Sequence, residues 1–387
     1  MKKLITAWCL LAINYSQAQK PITSISFELF GDHIIIPVSI DNSRPLDFIF
    51  DTGSGLTVLD KTVAAELGLG KDINLNETKN SMEVFKHNEI EINGFPMEKN
   101  IKVYATKLEH LEISLGRDID GIVGYDLMHN HTIRINYGKK TIDIFEHGKG
   151  PTSGDEILFD LNISIPTING TVVLNNEEPH EGTFFVMTGA GTSLDFNSPF
   201  AKTYDVINKT GKHYSYVVKG LDDNETLHYE GHVLSFAFGK QKIEDLPIGI
   251  SQAKSGIQAH PHVGGIIGNE ILSMFDITID VPGRRLYLEK NEHFGEALPV
   301  NCSGIDLQFA HGEPNLLIHR VFDNSPASEA GVKINDQLIA INDTPVSTLA
   351  LPDIKEMLRQ SGETVSLKIK QGDDIKTVSL GLRSLIE

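Results

Sequence analysis

Apolar residues in this chain fall in short runs broken by Gly, Asp, Asn and Pro, the spacing of strands rather than of long helices. His33-Ile34-Ile35-Ile36-Pro37-Val38-Ser39-Ile40 and Asp47-Phe48-Ile49-Phe50 predict two strands joined by the polar turn Asp41-Asn42-Ser43-Arg44-Pro45. Residues 61–67 predict a short helix, stopped by Gly68 and Gly70. Further along, 171–174 and 183–186 predict another pair of strands around a polar turn, and the Gly-, Pro- and Ser-rich stretch 148–154 reads as a boundary. The chain opens differently. Met1-Lys2-Lys3 precedes an apolar run over 4–13 and then Ser16-Gln17-Ala18, the layout of a signal peptide cut after Ala18. That run is shorter than a membrane span, and no later stretch approaches the roughly 20 apolar residues a spanning helix needs.

The strand pattern is duplicated. Leu46-Asp47-Phe48-Ile49-Phe50-Asp51-Thr52-Gly53-Ser54-Gly55 has a counterpart 136 positions on, Gly182-Thr183-Phe184-Phe185-Val186-Met187-Thr188-Gly189-Ala190-Gly191. Each copy meets a downstream Gly-apolar-apolar-Gly, Gly121-Ile122-Val123-Gly124 or Gly265-Ile266-Ile267-Gly268, and then a terminal hairpin. Upstream, Ile36-Pro37 and Ile165-Pro166 are expected to correspond. Landmarks repeated in one order indicate two duplicated lobes. The copies differ at one decisive position, where Met187 stands opposite Asp51. Two carboxyls about 3 Å apart share a proton and split their pKa values, one acting as base while the other donates an acid proton. A thioether has no proton to give and accepts hydrogen bonds weakly. Asp195, eight residues beyond Met187, belongs to another part of the repeat, opposite Leu59, and is not read as a substitute.

On these motifs the chain resembles the aspartic peptidases of the retropepsin and pepsin kind, and more narrowly the bacterial retropepsin-like proteins that carry a C-terminal PDZ domain. The resemblance implies a mainly β fold. Two duplicated acid-protease β-barrel lobes, at 22–148 and 155–292, would follow a signal peptide at 1–18. It implies Asp51, Thr52 and Gly53 as the catalytic motif, with Thr188 and Gly189 as second-lobe counterparts and Met187 non-catalytic. Hairpin flaps would come from 79–84 and 213–218.

Beyond Glu292 the order Ser325-Pro326-Ala327, Gly331-Val332, Asp336-x-Leu338 and Ile341-Asn342 resembles PDZ domains of bacterial proteases, here over 299–385. A PDZ groove adds a peptide as a strand to a sheet edge and holds its end on backbone amides. Gly304, Ile305, Asp306 and Leu307 are the expected loop and edge, with Ile354 and Leu358 on the helix lining the groove. Asp306 stands where the family prefers glycine, so capture of an internal segment competes with capture of a C-terminus.

Charge narrows the partners. Of 387 residues 22% are charged and the net charge is −18, becoming −20 once Lys2 and Lys3 leave with the signal. So acidic a chain argues against nucleic-acid binding. Loss of the signal leaves Cys302 alone, which excludes an intrachain disulfide and suits a bacterial periplasm or the exterior. His260 and His262 flank Pro261 without a zinc-motif carboxylate or cysteine beside them, so neither a metal nor a cofactor is expected. Two functions stay open. One is an endopeptidase acting through Asp51 on protein or peptide substrates, and the other a pseudopeptidase that binds peptides without cutting.

Overall fold

The computed structural model describes residues 20–69, 82–97, 101–219, 225–310 and 314–386. The signal-peptide segment, Gly70 and the first three residues of the 79–84 flap lie outside them.

The two copies of the repeat fold alike. In the first lobe Leu46–Phe50 pairs antiparallel with His33–Ile40 and parallel with Gly121–Val123. Gly121–Val123 runs antiparallel to Thr57–Asp60, which is parallel to Ile101–Thr106. In the second lobe Pro179–Val186 pairs antiparallel with Ile165–Val173 and parallel with Gly265–Ile267. Gly265–Ile267 in turn runs antiparallel to Leu194–Phe196, which is parallel to Gln241–Ser251. Order and sense match strand for strand. One correspondence is corrected: Ile36 faces Phe48 while Ile168 faces Phe184, so the partner of Ile36 is Ile168 and not Ile165. The Ile-Pro pairs agree by coincidence of sequence, three residues out of register.

Side-chain burial explains why these segments become strands. Phe48, Phe50, Phe184, Phe185 and Phe196 are fully buried, and β-rich apolar runs gain most when both faces are covered. The helix Lys61–Glu66 starts where the Asp60 carboxylate accepts from the backbone of Thr62 and Val63, and Gly68 leaves it in the left-handed region at φ +68°.

The lobes join through a shared six-stranded sheet in which His131–Asn136 pairs with Phe275–Asp280, flanked by one further hairpin strand and one lead-in strand from each lobe. Arg134 reaches across this seam to Asp276 at 3.0 Å and Glu289 at 2.9 Å. One apolar core runs through both lobes, whereas residues from Cys302 to Leu382 make a core of their own. There Ile305–Phe309 forms the edge of a small sheet, bonded only to Leu316–Val321 among the described residues. The helix Leu351–Met357 lies beside it, Ile354 packed into the core. No helix among the described residues is long and apolar enough to cross a membrane.

Candidate active site

Both Thr-Gly turns hang from the strands that the duplication aligns. The Asp51 amide donates to Val123 O at 2.9 Å and the Met187 amide to Ile267 O at 3.1 Å. Beneath them glycine is required on each side. A Cβ on Gly124 would overlap the Asp51 carbonyl oxygen, and one on Gly268 would overlap that of Thr192.

The turns meet through their threonines. Thr52 N donates to Thr188 Oγ1 at 3.0 Å and Thr188 N to Thr52 Oγ1 at 3.1 Å. Each hydroxyl then donates to the opposite strand, Thr52 to Val186 O at 2.7 Å and Thr188 to Phe50 O at 3.1 Å. Both threonines are fully buried, so four bonds with no water to replace them lock the lobes in register.

Asp51 and Met187 occupy equivalent places above this lock. The Asp51 carboxyl lies where a Cβ on Gly189 would stand, and the Met187 thioether lies where a Cβ on Gly53 would stand. One Asp51 oxygen accepts from Gly53 N at 2.7 Å and Gly189 N at 2.9 Å. Burial raises the Asp51 carboxyl above its ordinary range, while those two amides and nearby His33 pull the other way. Met187 joins a small apolar cluster with Ile165, Phe185, Val263 and Ile266. The half of the site that would carry a second carboxyl is therefore greasy.

Sequence reasoning missed His33. Its Nδ1 lies 2.6 Å from Gly31 O, and its ring fills the space above Gly191, where a Cβ would sit 2.7 Å from Cε1. It thus bridges from the first lobe to the second-lobe turn and lies near enough to feel the charge of Asp51; burial lowers its pKa. The only sequence signal was a Gly-Asp turn ahead of a strand. Asp195, set aside above, sits in Leu194–Phe196, buried, accepting from Gln258 Nε2 at 3.3 Å.

The expected PDZ residues divide. Ile305, Asp306, Leu307 and Leu358 line a cavity of about 230 Å³ whose far wall is the second lobe, including Gly191, Thr192 and Ser193 but not Asp51. Gly304 turns at φ +78° beneath Ser325 and Ile354 is buried, so these two support the groove rather than line that cavity. The second-lobe flap segment, observed as the strand Tyr214–Lys219, packs on the same domain, Tyr214 lying 4.5 Å from Phe322 between ring centres.

Residues 36–127 match the family described as aspartyl protease, and residues 297–370 match the PDZ domain. The chain joins a retropepsin-like aspartyl-protease fold to a PDZ domain. Among solved structures, the aspartic proteinase from Irpex lacteus is similar at 13% identity with a TM-score of 0.43, over 71% of this chain and 99% of that one. The photosystem II D1 C-terminal processing protease is similar at 20% identity with a TM-score of 0.21, over 23% of this chain and 25% of that one. The family match covers the first-lobe motif, so the aspartyl-protease-like Met187 turn is known here from its geometry.

Proposed function

We propose that this aspartyl-protease-like protein binds extended protein or peptide segments between its lobes and is, at most, a weak hydrolase. The carrying observation is the thioether of Met187 in the place equivalent to the Asp51 carboxyl. A lone carboxylate can take a proton from water, yet the substrate carbonyl then lacks an acid to meet its developing charge. General acid help is worth about 10²–10⁴ in rate. The intact threonine lock and glycine floor support retention of the cleft itself.

A second reading is favoured by His33. Its contact with the Gly191 turn and its proximity to Asp51 support a ring that carries the missing proton only below its burial-lowered pKa, and so makes the chain a true endopeptidase at acid pH. Export, supported by the basic head and apolar run at the N-terminus, would put either activity in the periplasm or outside the cell.

Cleavage of a fluorogenic peptide library across pH 3–8 separates these readings. Under the first, the unaltered chain is near background, Met187→Asp gains acid-optimum activity, and Asp51→Asn in that variant removes it. Robust cleavage by the unaltered chain, lost in both Asp51→Asn and His33→Gln, would sink the first reading and establish the second.

A further inference from the structure

The edge strand Ile305–Phe309 and the helix Leu351–Met357 bound the PDZ groove, and both ends of that groove meet the lobes. At one end the first-lobe helix Glu109–Leu115 packs on the edge strand. Gly116, which closes that helix at φ +71°, is wedged between Phe309 and Leu351. A Cβ there would lie 2.6 Å from the Phe309 ring and 3.1 Å from Leu351 Cβ. Lys355 Nζ donates to Ser114 O at 3.1 Å, and Pro352 packs on Gly31. At the other end Arg320 pairs with Asp306 at 2.8 Å and also donates to Val217 O of the second lobe, while Tyr214 and Tyr216 surround Phe322.

The two sides of this seam are complementary in charge. The second lobe contributes Asp195, Glu230 and Glu270 to the shared cavity; the PDZ side contributes Lys355 and Arg359, with Asp306 already paired to Arg320. Arg359 lies close enough to both Glu230 and Glu270 to favour their ionised forms. Lobe residues thus supply a close-packed backbone at Gly116, the rings of Tyr214 and Tyr216, and the carboxylates that an extended acidic peptide would bring to the same groove.

We propose that the PDZ groove is a docking surface occupied in cis by the lobes, and that an extended acidic peptide replaces them. Binding and docking are mutually exclusive, whether or not Asp51 cuts anything. Apparent affinity is then the intrinsic affinity reduced by the undocked fraction.

Gly116→Trp and, separately, Tyr214→Arg break the seam from the lobe side and leave every groove residue in place. Each full-length variant is compared with the unaltered chain by small-angle X-ray scattering and on an array of free-C-terminus decapeptides of acidic, neutral or basic composition. The expected result is an increased radius of gyration, unchanged circular dichroism, and at least tenfold tighter binding to acidic decapeptides. Folded, undocked variants that bind no decapeptide, prefer basic ones, or match the unaltered chain within twofold would overturn the proposal. So would two folded variants that both stay docked. A variant that loses its circular dichroism spectrum is set aside and the other decides.

Discussion

At the scale of single residues the site is a symmetric frame around an asymmetric pair. Thr52 and Thr188 make four hydrogen bonds that mirror one another, two between themselves and one each to Val186 O and Phe50 O, while Asp51 and Met187 above them share nothing but position. Frame and chemistry are therefore separable by mutation. Thr52→Val is nearly isosteric but strands Val186 O and the Thr188 amide in a buried place. Each such orphan costs about 1–3 kcal/mol, so urea unfolding should show a loss of about 2–5 kcal/mol; a loss under about 1 kcal/mol would show that the lobes do not depend on this lock. Met187→Asp should instead leave the frame whole. It places a second carboxyl near Asp51, and the pair should titrate with split apparent values. The motif Asp-Thr-Gly was legible in sequence because its small residues and its duplicate are contiguous. His33 was not, since its meaning comes from a contact with Gly191 made 158 positions away.

Elements obey the same logic of duplication, and glycine marks where two of them cross. Gly124 and Gly268 lie beneath the two turns with no room for a side chain. Gly124→Ala should push the Asp51 backbone away from its place. We expect a strongly destabilised chain, with loss of whatever activity Met187→Asp confers when the two are combined. Normal thermal stability and retained activity in that combination would contradict the crowding. Strand identities were readable because alternation and apolar runs are local signals. Register was not. Ile36 and Ile165 share an Ile-Pro dipeptide, yet pairing is decided by which residue meets Phe48 or Phe184 across the strand, and that selects Ile168. The PDZ groove shows a related limit. Ile354 fits the helix face chosen for it, but burial in the core turns it into support, whereas the cavity wall is completed by Lys355 and Arg359, charged positions that apolar patterning passes over.

Across the whole molecule, the seam between the second lobe and the PDZ domain gathers carboxyls that prefer to be protonated. Burial pushes Asp195 up to about 6 and Glu230 up to about 7, and holds Glu270 well above the usual carboxylate range. Arg359 opposes this for the two glutamates but does not cancel it. The sign follows directly. A carboxyl whose folded pKa is raised stabilises the fold fully below its unfolded pKa, and that contribution is lost as pH rises through the folded value. Between about pH 4 and pH 7 the chain should therefore lose stability as it becomes less acidic. For Asp195, raised to about 6, the contribution lost across this window is on the order of a few kcal/mol. Thermal unfolding followed at pH 4, 5, 6 and 7 should give a falling midpoint, and Asp195→Asn or Glu230→Gln should flatten the fall. Undocking adds a second check. Gly116→Trp opens the seam to water, so the Glu230 contribution should shrink in that variant while that of Asp195, set deeper in the strand Leu194–Phe196, persists. A midpoint that rises through this window in the unaltered chain, or a fall that neither substitution changes, would mean that these carboxyls are not what the seam hides from water.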